Sequence, residues 1–389
     1  MQMKKIVLFI CCSLLLCSIS YADNLKLDQF IIKKMEQYHV PGASIAIIDG
    51  SKISYKKAYG YADIKSKRKL TPETYLQACS ISKAPSALAV LLTLLKNKLS
   101  IDDPANKFLT TWKIPNNKFT AKQAVTVRML LNHSAGIINP YKYPIPDYTY
   151  PTNLQFLNGK KPATNPALTA QYLPGSKYEY CNGCYVIIKT LLEDINKKSF
   201  PQIMKSMVLK PLQMHHSSYD PNFPFDNPKK IALPYTPKGK VFPNAGFLKP
   251  QYRKSYTVAD SGLAVGGLWT TPSDLATFAI AIQKSLAKSK KSVIPNKIAE
   301  ELVKPSSSDT RGLGFFIQNK YGDETKDGKY FGHGGFNPGY LSLLIAGKDN
   351  GKGAIIIINV SPAADTEKVK QWDFIKNVEH YIADHEKWD

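Results

Sequence analysis

The chain has 389 residues and a formal net charge of +22. That length buries a sizeable core and is long for one compact unit, so two lobes are expected. Only Arg68, Arg128, Arg253 and Arg311 are arginines, and the other 48 basic residues are lysines. Nucleic-acid readers favour arginine for bidentate contacts and no recognition motif accompanies these lysines, which argues against a nucleic-acid partner and for a solvated basic surface, with attraction to anionic cell-envelope polymers as the alternative.

The N-terminus reads as an export signal over residues 1–22: Lys4 and Lys5, an apolar run from Ile6 to Ile19, then Ser20-Tyr21-Ala22 with small residues where a signal peptidase inspects. The apolar run is shorter than the roughly 20 residues a spanning helix wants. Leu16 before Cys17 speaks against lipid attachment. No later stretch reads as long and apolar enough to cross a bilayer, so the mature chain is expected to be periplasmic or secreted, without stable membrane insertion. It keeps three cysteines, Cys79, Cys181 and Cys184. They read as a bridge between the Cys79 and Cys181 regions, as buried free thiols, or, through Cys181-Asn182-Gly183-Cys184, as a redox or zinc half-motif with no second ligand pair.

A helix is predicted around Gln29 to Tyr38. A hairpin follows, with strands at Ala43–Ile48 and Ile53–Tyr59 around the Asp49-Gly50 turn. Ser80-Ile81-Ser82-Lys83 then precedes an apolar helical run over Ala84–Leu95, which places Ser80 near a helix start with Lys83 one turn away on the same face. Pro85 requires that helix to begin no later than about Ser82, because its missing N–H is harmless only in the first turn. A serine hydroxyl becomes a nucleophile when a base takes its proton, and a lysine can be that base when burial or nearby cations lower its pKa. The helix start also offers N–H groups to a developing oxyanion.

Further on, Tyr180-Cys181-Asn182 precedes a helix over Gly183–Glu193. Tyr180 can shuttle a proton, and Asn182 can donate to a substrate carbonyl and accept from Lys83. The plainer reading is a core tyrosine and a helix-capping asparagine. Helices are predicted over Ser273–Ser285 and Pro295–Val303, separated from the earlier ones by Pro- and Tyr-rich loops such as 139–151. Phe331-Gly332-His333-Gly334-Gly335-Phe336 comes next. Its glycines, Gly335 among them, let a substrate backbone approach a strand edge, and the N–H of Phe336 could complete an oxyanion hole with that of Ser80. The plainer reading is a glycine turn with a surface histidine. A second hairpin, Tyr340–Ala346 and Ala354–Val360 around Lys348-Asp349-Asn350-Gly351, and a helix over Asp365–His385 close the chain. The fold expected is α/β (α+β): an antiparallel sheet flanked by helices and built from both chain ends, residues 23–75 and 305–389, with a mainly helical inserted lobe over 76–304. The ligand site is expected in the crevice between the lobes.

Ser80-x-x-Lys83, Tyr180-x-Asn182 and His333-x-Gly335, in this order and spacing, resemble the serine β-lactamase and penicillin-binding-protein superfamily, in its branch of class C β-lactamases, D-alanyl-D-alanine carboxypeptidases, D-aminopeptidases and related esterases. Leu130-Leu131-Asn132-His133-Ser134-Ala135-Gly136, Pro211–Met214, Gly266–Leu275 and Gly312-Leu313-Gly314 are similar to that branch too, and the resemblance covers roughly residues 28 to 385. It implies that Ser80 is acylated, that Lys83 and Tyr180 handle its proton and the leaving group's, that Asn182 positions substrate, and that His333 stands for the lysine of the family's Lys-Thr-Gly element. No metal and no cofactor are implied, and His133, His215 and His216 read as structural rather than as ligands. With Gly334 lacking a hydroxyl and His333 only fractionally charged at neutral pH, carboxylate recognition should be weaker by roughly 1.5 to 3 kcal/mol, unless Asn337 or a lysine substitutes. The order of expectation is therefore a carboxypeptidase or peptidase acting on D-amino-acid peptides, peptidoglycan-derived ones among them, then a carboxyl-ester hydrolase, then a β-lactamase, then a non-catalytic binding module.

Overall fold

The computed structural model describes residues 24–138, 151–242, 262–305, 310–325, 328–362 and 369–389. The predicted export signal and residues 139–150 of the Pro- and Tyr-rich loop lie outside them. Helix α1 spans residues 24–38 and leads into β1 (Gly42–Asp49), β2 (Lys52–Asp63) and β3 (Arg68–Lys69). β4 (Leu76–Gln77) leads to a 3₁₀ turn, Cys79–Ser82, that runs directly into α2 (Lys83–Lys96). The middle of the chain is helical: α3 (Val127–Leu131), α4 (Asn153–Leu157), α5 (Asn182–Asn196), α6 (Phe200–Met204), α7 (Phe223–Asp226) and α8 (Leu263–Gly266), then β5 (Trp269–Thr270), α9 (Pro272–Leu286) and α10 (Asn296–Val303). The C-terminal part supplies β6 (Phe316–Gln318), β7 (Tyr330–Asn337), β8 (Tyr340–Gly347), β9 (Gly353–Ile358) and α11 (Lys370–His385).

Seven strands form one sheet in the order β3-β2-β1-β9-β8-β7-β6, each pair antiparallel. The two predicted hairpins are β1–β2 and β8–β9, and they join because β1 pairs with β9, Ala43 opposite Ile358 and Ile48 opposite Gly353. The run Ala354–Ile358 has no polar alternation because both faces of the sheet are covered. Ile356 and Ile358 pack with Phe374, Ile375 and Val378 of α11 and Leu27 and Ile31 of α1. Ile355 and Ile357 belong to the opposite core, with Leu275, Phe278 and Ala279 of α9. Helix α9, from the middle of the chain, thus lies against strands from both ends. The 18 residues Cys79–Lys96 have a mean hydropathy of 1.3, long and apolar enough to cross a membrane, contrary to the sequence expectation that no later stretch would be; 78% of that stretch is buried inside the protein, where it is the central core helix.

Residues 331–336, read as a strand edge with a glycine turn as the plainer alternative, are the middle of a full β-strand, β7, paired along its length with β8. Its glycines gave no alternating pattern, and pairing to β8 decides its conformation.

Candidate active site

The 3₁₀ turn that carries Ser80 is held by its own side chains. Ser82 Oγ donates to the Cys79 carbonyl at 2.6 Å and accepts from the N–H of Leu268 at 3.1 Å, and the Tyr219 hydroxyl donates to the Ser82 carbonyl at 2.8 Å. Cys79 takes a left-handed φ of 53° although it carries a side chain and is fully buried. Such strain persists where surrounding contacts over-determine it, and it is concentrated at functional sites. Burial pushes the Cys79 thiol up, out of the range where it would be a competing nucleophile.

Pro85 occupies the third position of α2, so the helix accepts it without a lost bond. One turn after the serine, Lys83 is fully buried, with Nζ 3.2 Å from Ser80 Oγ and donating to the Val265 carbonyl of α8 at 2.9 Å. Burial pushes its ammonium well below the ordinary lysine range. Val265, which the sequence gave no reason to single out, takes the holding position expected of Asn182. Gly314 lies against this helix start: at its φ of 74°, a Cβ would come within 3.0 Å of the Ala84 Cα.

Tyr180 comes from an irregular segment ahead of α5, and Lys83 Nζ lies 5.0 Å from its ring centroid and 5.6 Å from that of Tyr185. Asn182 is buried in the first turn of α5, but it is not the cap. That position belongs to Cys181, whose sulfur accepts from the N–H of Cys184 at 2.9 Å. Cys181 and Cys184 form a disulfide and Cys79 is a free buried thiol, so the bridge closes inside the Cys-x-x-Cys segment and does not join the Cys79 and Cys181 regions.

β7 brings the third element alongside. A Cβ on Gly335 would lie 2.6 Å from the Ala78 carbonyl oxygen and 2.8 Å from the Cys79 Cβ, so only glycine lets the strand pass this close to the serine turn. Ser342 Oγ donates to the Ala78 carbonyl at 2.7 Å, and the Asn337 amide donates to Gln77 Oε1 at 2.6 Å and to the Gly266 carbonyl at 3.2 Å. Asn337 therefore staples the strand to the turn, and its amide is not spare for a substrate carboxylate. Phe336 itself turns its ring to the α11 side of the sheet, which leaves its backbone as the part relevant to the crevice.

His333 is 3% exposed, not a surface residue. Its ring stacks on Phe316 with centroids 4.6 Å apart and lies 6.2 Å from the Tyr180 ring. Nδ1 contacts the Gly334 carbonyl, and Nε2 is buried with no hydrogen-bond partner. Burial first, then the Lys83 and Arg311 cations, push its pKa down to about 3, so it is neutral at neutral pH and not fractionally charged. Arg311, which sequence reasoning also passed over, is the nearby fixed cation: its guanidinium stacks on Tyr178 at 4.2 Å and Phe316 at 4.6 Å and pairs with Glu324. Gly312-Leu313-Gly314 directly after it was the available signal. The structure thus places Lys83 beside Ser80, the Tyr180 ring beside Lys83, His333 beside Tyr180 and Gly335 against the serine turn, with Asn182 buried at the start of α5, which packs on α2. A serine hydroxyl beside a buried amine that burial makes a weaker proton holder, with strand and helix N–H groups at hand, is an arrangement suited to acyl transfer.

A family model described as Beta-lactamase matches residues 27–375. The chain is similar to Protein flp of Staphylococcus aureus strain MRSA252, 28% identical over 200 residues that make up 51% of this chain and 38% of that protein. It is similar to a D-aminopeptidase of Brucella anthropi, 26% identical over 200 residues, 51% of this chain and 37% of that protein. The chain therefore spans well under half the length of these two relatives. Among solved structures it is similar to the octameric penicillin-binding protein homologue from Pyrococcus abyssi, with a TM-score of 0.66 and 25% identity, covering 86% of this chain and 73% of that one.

Proposed function

The chain belongs to the beta-lactamase family, a fold family of serine hydrolases, and we propose that it is an exported hydrolase of D-amino-acid peptides that works through an acyl-Ser80 intermediate. The observation that carries this reading is the buried Lys83 amine 3.2 Å from Ser80 Oγ. In the proposed reaction Ser80 Oγ attacks the substrate carbonyl and passes its proton to the Lys83 lone pair. The oxyanion is held by the N–H groups of Ser80 and Phe336, and Asn182 orients the acyl part. Lys83 and Tyr180 then deliver a proton to the leaving amine as the scissile bond breaks. Water, deprotonated by the same pair, releases the acyl group and restores Ser80.

The neutral His333 sets the preference within that class. Where the Lys-Thr-Gly form offers a cation and a hydroxyl, this site offers an uncharged imidazole and a glycine, which favours substrates without a carboxylate beside the scissile bond. The similarity to a D-aminopeptidase supports a peptidase, and the same neutral imidazole favours carboxyl-ester hydrolysis as the second reading, ahead of β-lactam turnover. Export rests on the N-terminal segment, Lys4-Lys5 followed by its apolar run.

Intact-mass spectrometry after a fluorophosphonate probe should give one adduct, mapped to Ser80. Folded protein that takes no adduct would replace the enzyme by a binding module of the same fold. Turnover is then compared between a D-alanyl amide, an acyl-D-Ala-D-Ala peptide, a p-nitrophenyl ester and a chromogenic cephalosporin. The amide and ester should exceed the carboxylate-bearing pair, and a fastest rate on the cephalosporin would overturn the substrate assignment.

A further inference from the structure

His133 lies outside the three motif elements, yet it grips the tyrosine segment from both sides. Its backbone carbonyl accepts the N–H of Glu179 at 2.8 Å, and its ring Nδ1 accepts the N–H of Cys181 at 3.0 Å. The second belongs to the peptide group that directly follows Tyr180, and the first, between Tyr178 and Glu179, lies one residue ahead of it. Its ring lies 4.6 Å from the Tyr180 ring, tilted by 36°, and 5.4 Å from that of Tyr185. The next residue continues the grip, with the Ser134 carbonyl accepting the N–H of Gly175 at 2.7 Å. Residues 175–181 have neither helix nor strand to place them, so these bonds take the place of a secondary-structure ladder.

Two further features mark His133 as more than filler. It is 4% exposed and holds a left-handed φ of 63° with a side chain attached, a conformation that costs energy and persists only when its surroundings demand it. An Nδ1 that accepts from a peptide N–H must carry a lone pair, so the ring is neutral; burial, with Lys83 and His333 nearby, holds its pKa well below the usual histidine range, and the grip does not open across the neutral range.

We propose that His133 is a positioning residue for the reaction: it fixes the Tyr180 hydroxyl in register with Ser80 and Lys83 by holding the backbone N–H groups of Glu179, before the tyrosine, and of Cys181, after it. This rests on the reading of Ser80 as an acylated nucleophile with Tyr180 in its proton path. The clasp requires an acceptor at the Nδ1 position and a backbone tolerant of φ near 60°. Asparagine supplies both, with an amide oxygen and a known tolerance for the left-handed region, while phenylalanine keeps a ring and removes the acceptor.

The test measures the single-turnover rate of Ser80 acylation by a fluorophosphonate, and kcat and KM on a p-nitrophenyl ester, for the full chain and for His133→Phe, His133→Asn, Tyr180→Phe and the His133→Phe/Tyr180→Phe pair, each verified as folded by circular dichroism. His133→Phe should lower acylation and kcat about 10- to 100-fold with little change in KM, since a displacement of about 1 Å can cost about 100-fold. His133→Asn should recover most of the rate. In the Tyr180→Phe background, His133→Phe should cost less than about threefold, because its target is already gone. An additive loss in the double variant, or a folded His133→Phe that acylates at the unaltered rate, overturns the proposal. Absence of any Ser80 adduct in the unmodified protein instead overturns the parent reading, so the two failures are distinguishable. If His133→Phe does not fold, the proposal is decided on His133→Asn against His133→Gly, which accepts the left-handed backbone without an acceptor: equal rates for that pair overturn it.

Discussion

Substituting Gly335→Ala tests whether the approach of β7 to the serine turn is what assembles the site. The added methyl would stand 2.1 Å from Ser342 Oγ, 2.6 Å from the Ala78 carbonyl oxygen and 2.8 Å from the Cys79 Cβ, where ordinary contact begins near 3.4 Å. The Ser342 hydroxyl would have to swing away, and strand and turn must also separate by about 0.6–0.8 Å, because the two turn atoms are close-packed main-chain or buried atoms rather than the end of a flexible side chain. Ser342 offers no easy relief, since its hydroxyl is already bonded to the Ala78 carbonyl. A separation of that size misaligns the Phe336 and Ser80 N–H groups, and a shift of about 1 Å costs about 100-fold in a positioned reaction, so acylation should fall about 10- to 100-fold. The neighbouring Gly334→Ala is the control. Its methyl points to the other side, 3.2 Å from the Trp372 ring, and should change the rate by less than about threefold. Single-turnover fluorophosphonate labelling, with thermal melts to verify folding, reads both. A folded Gly335→Ala that acylates at the unaltered rate, or a Gly334→Ala that is equally slow, would refute the reasoning.

Lys83→Ala should lower the acylation rate by roughly two to four orders of magnitude, the range of a lost general base; an unchanged rate removes Lys83 from the mechanism. Because burial disfavours its ammonium, the amine is already in the base form well below 10.5, the ordinary lysine value. The rise of kcat/KM with pH should therefore have its midpoint well below 10.5, and a midpoint near 10.5 would contradict this. Glu379 is 1% exposed, and burial first, then Asp323 and Asp384, push its carboxyl up to about 9. A folded pKa above the unfolded 4.5 means the proton is held more tightly in the fold, so stability is greatest below pH 4.5 and falls as pH rises toward 9. Glu379→Gln removes that loss and should stabilise by at most about 3 kcal/mol at pH 7 and by almost nothing at pH 4.5; urea midpoints whose difference does not vary with pH would refute it. Protein lacking residues 1–22 and made in an oxidising compartment should, when denatured without reductant, take one iodoacetamide, at Cys79, and three after reduction. Three adducts before reduction would exclude the Cys181–Cys184 bridge.

Much of this protein was legible in one dimension because its elements carry local signals. The Asp49-Gly50 and Asp349-Asn350-Gly351 turns mark both hairpins, and the predicted helices at 84–95, 183–193, 273–285 and 295–303 match observed ones to within a few residues at their ends. The serine, lysine, tyrosine, asparagine and histidine that surround the crevice were also readable, since their spacing and order form a pattern no single element would supply. What the sequence could not decide depends on groups far apart in the chain. The pairing of β1 with β9 follows from burying two apolar hairpins in one sheet, not from any local feature. The sequence left Phe331–Phe336 open between a strand edge and a glycine turn because its glycines carry no alternation, and pairing with β8 decides for the strand. Val265 gave no local sign, and the stretches around His133 and Arg311 marked the family without their roles, because a carbonyl, a ring acceptor and a stacked cation acquire meaning only from what they face. The charge states of Lys83 and His333 belong to the same class: a pKa is a property of burial and neighbouring charge, and both are set by the closed fold. Sequence determined which chemical groups the chain owns; the tertiary structure decided that the lysine is buried beside its serine, with its ammonium disfavoured, and that the histidine offers a substrate no cation.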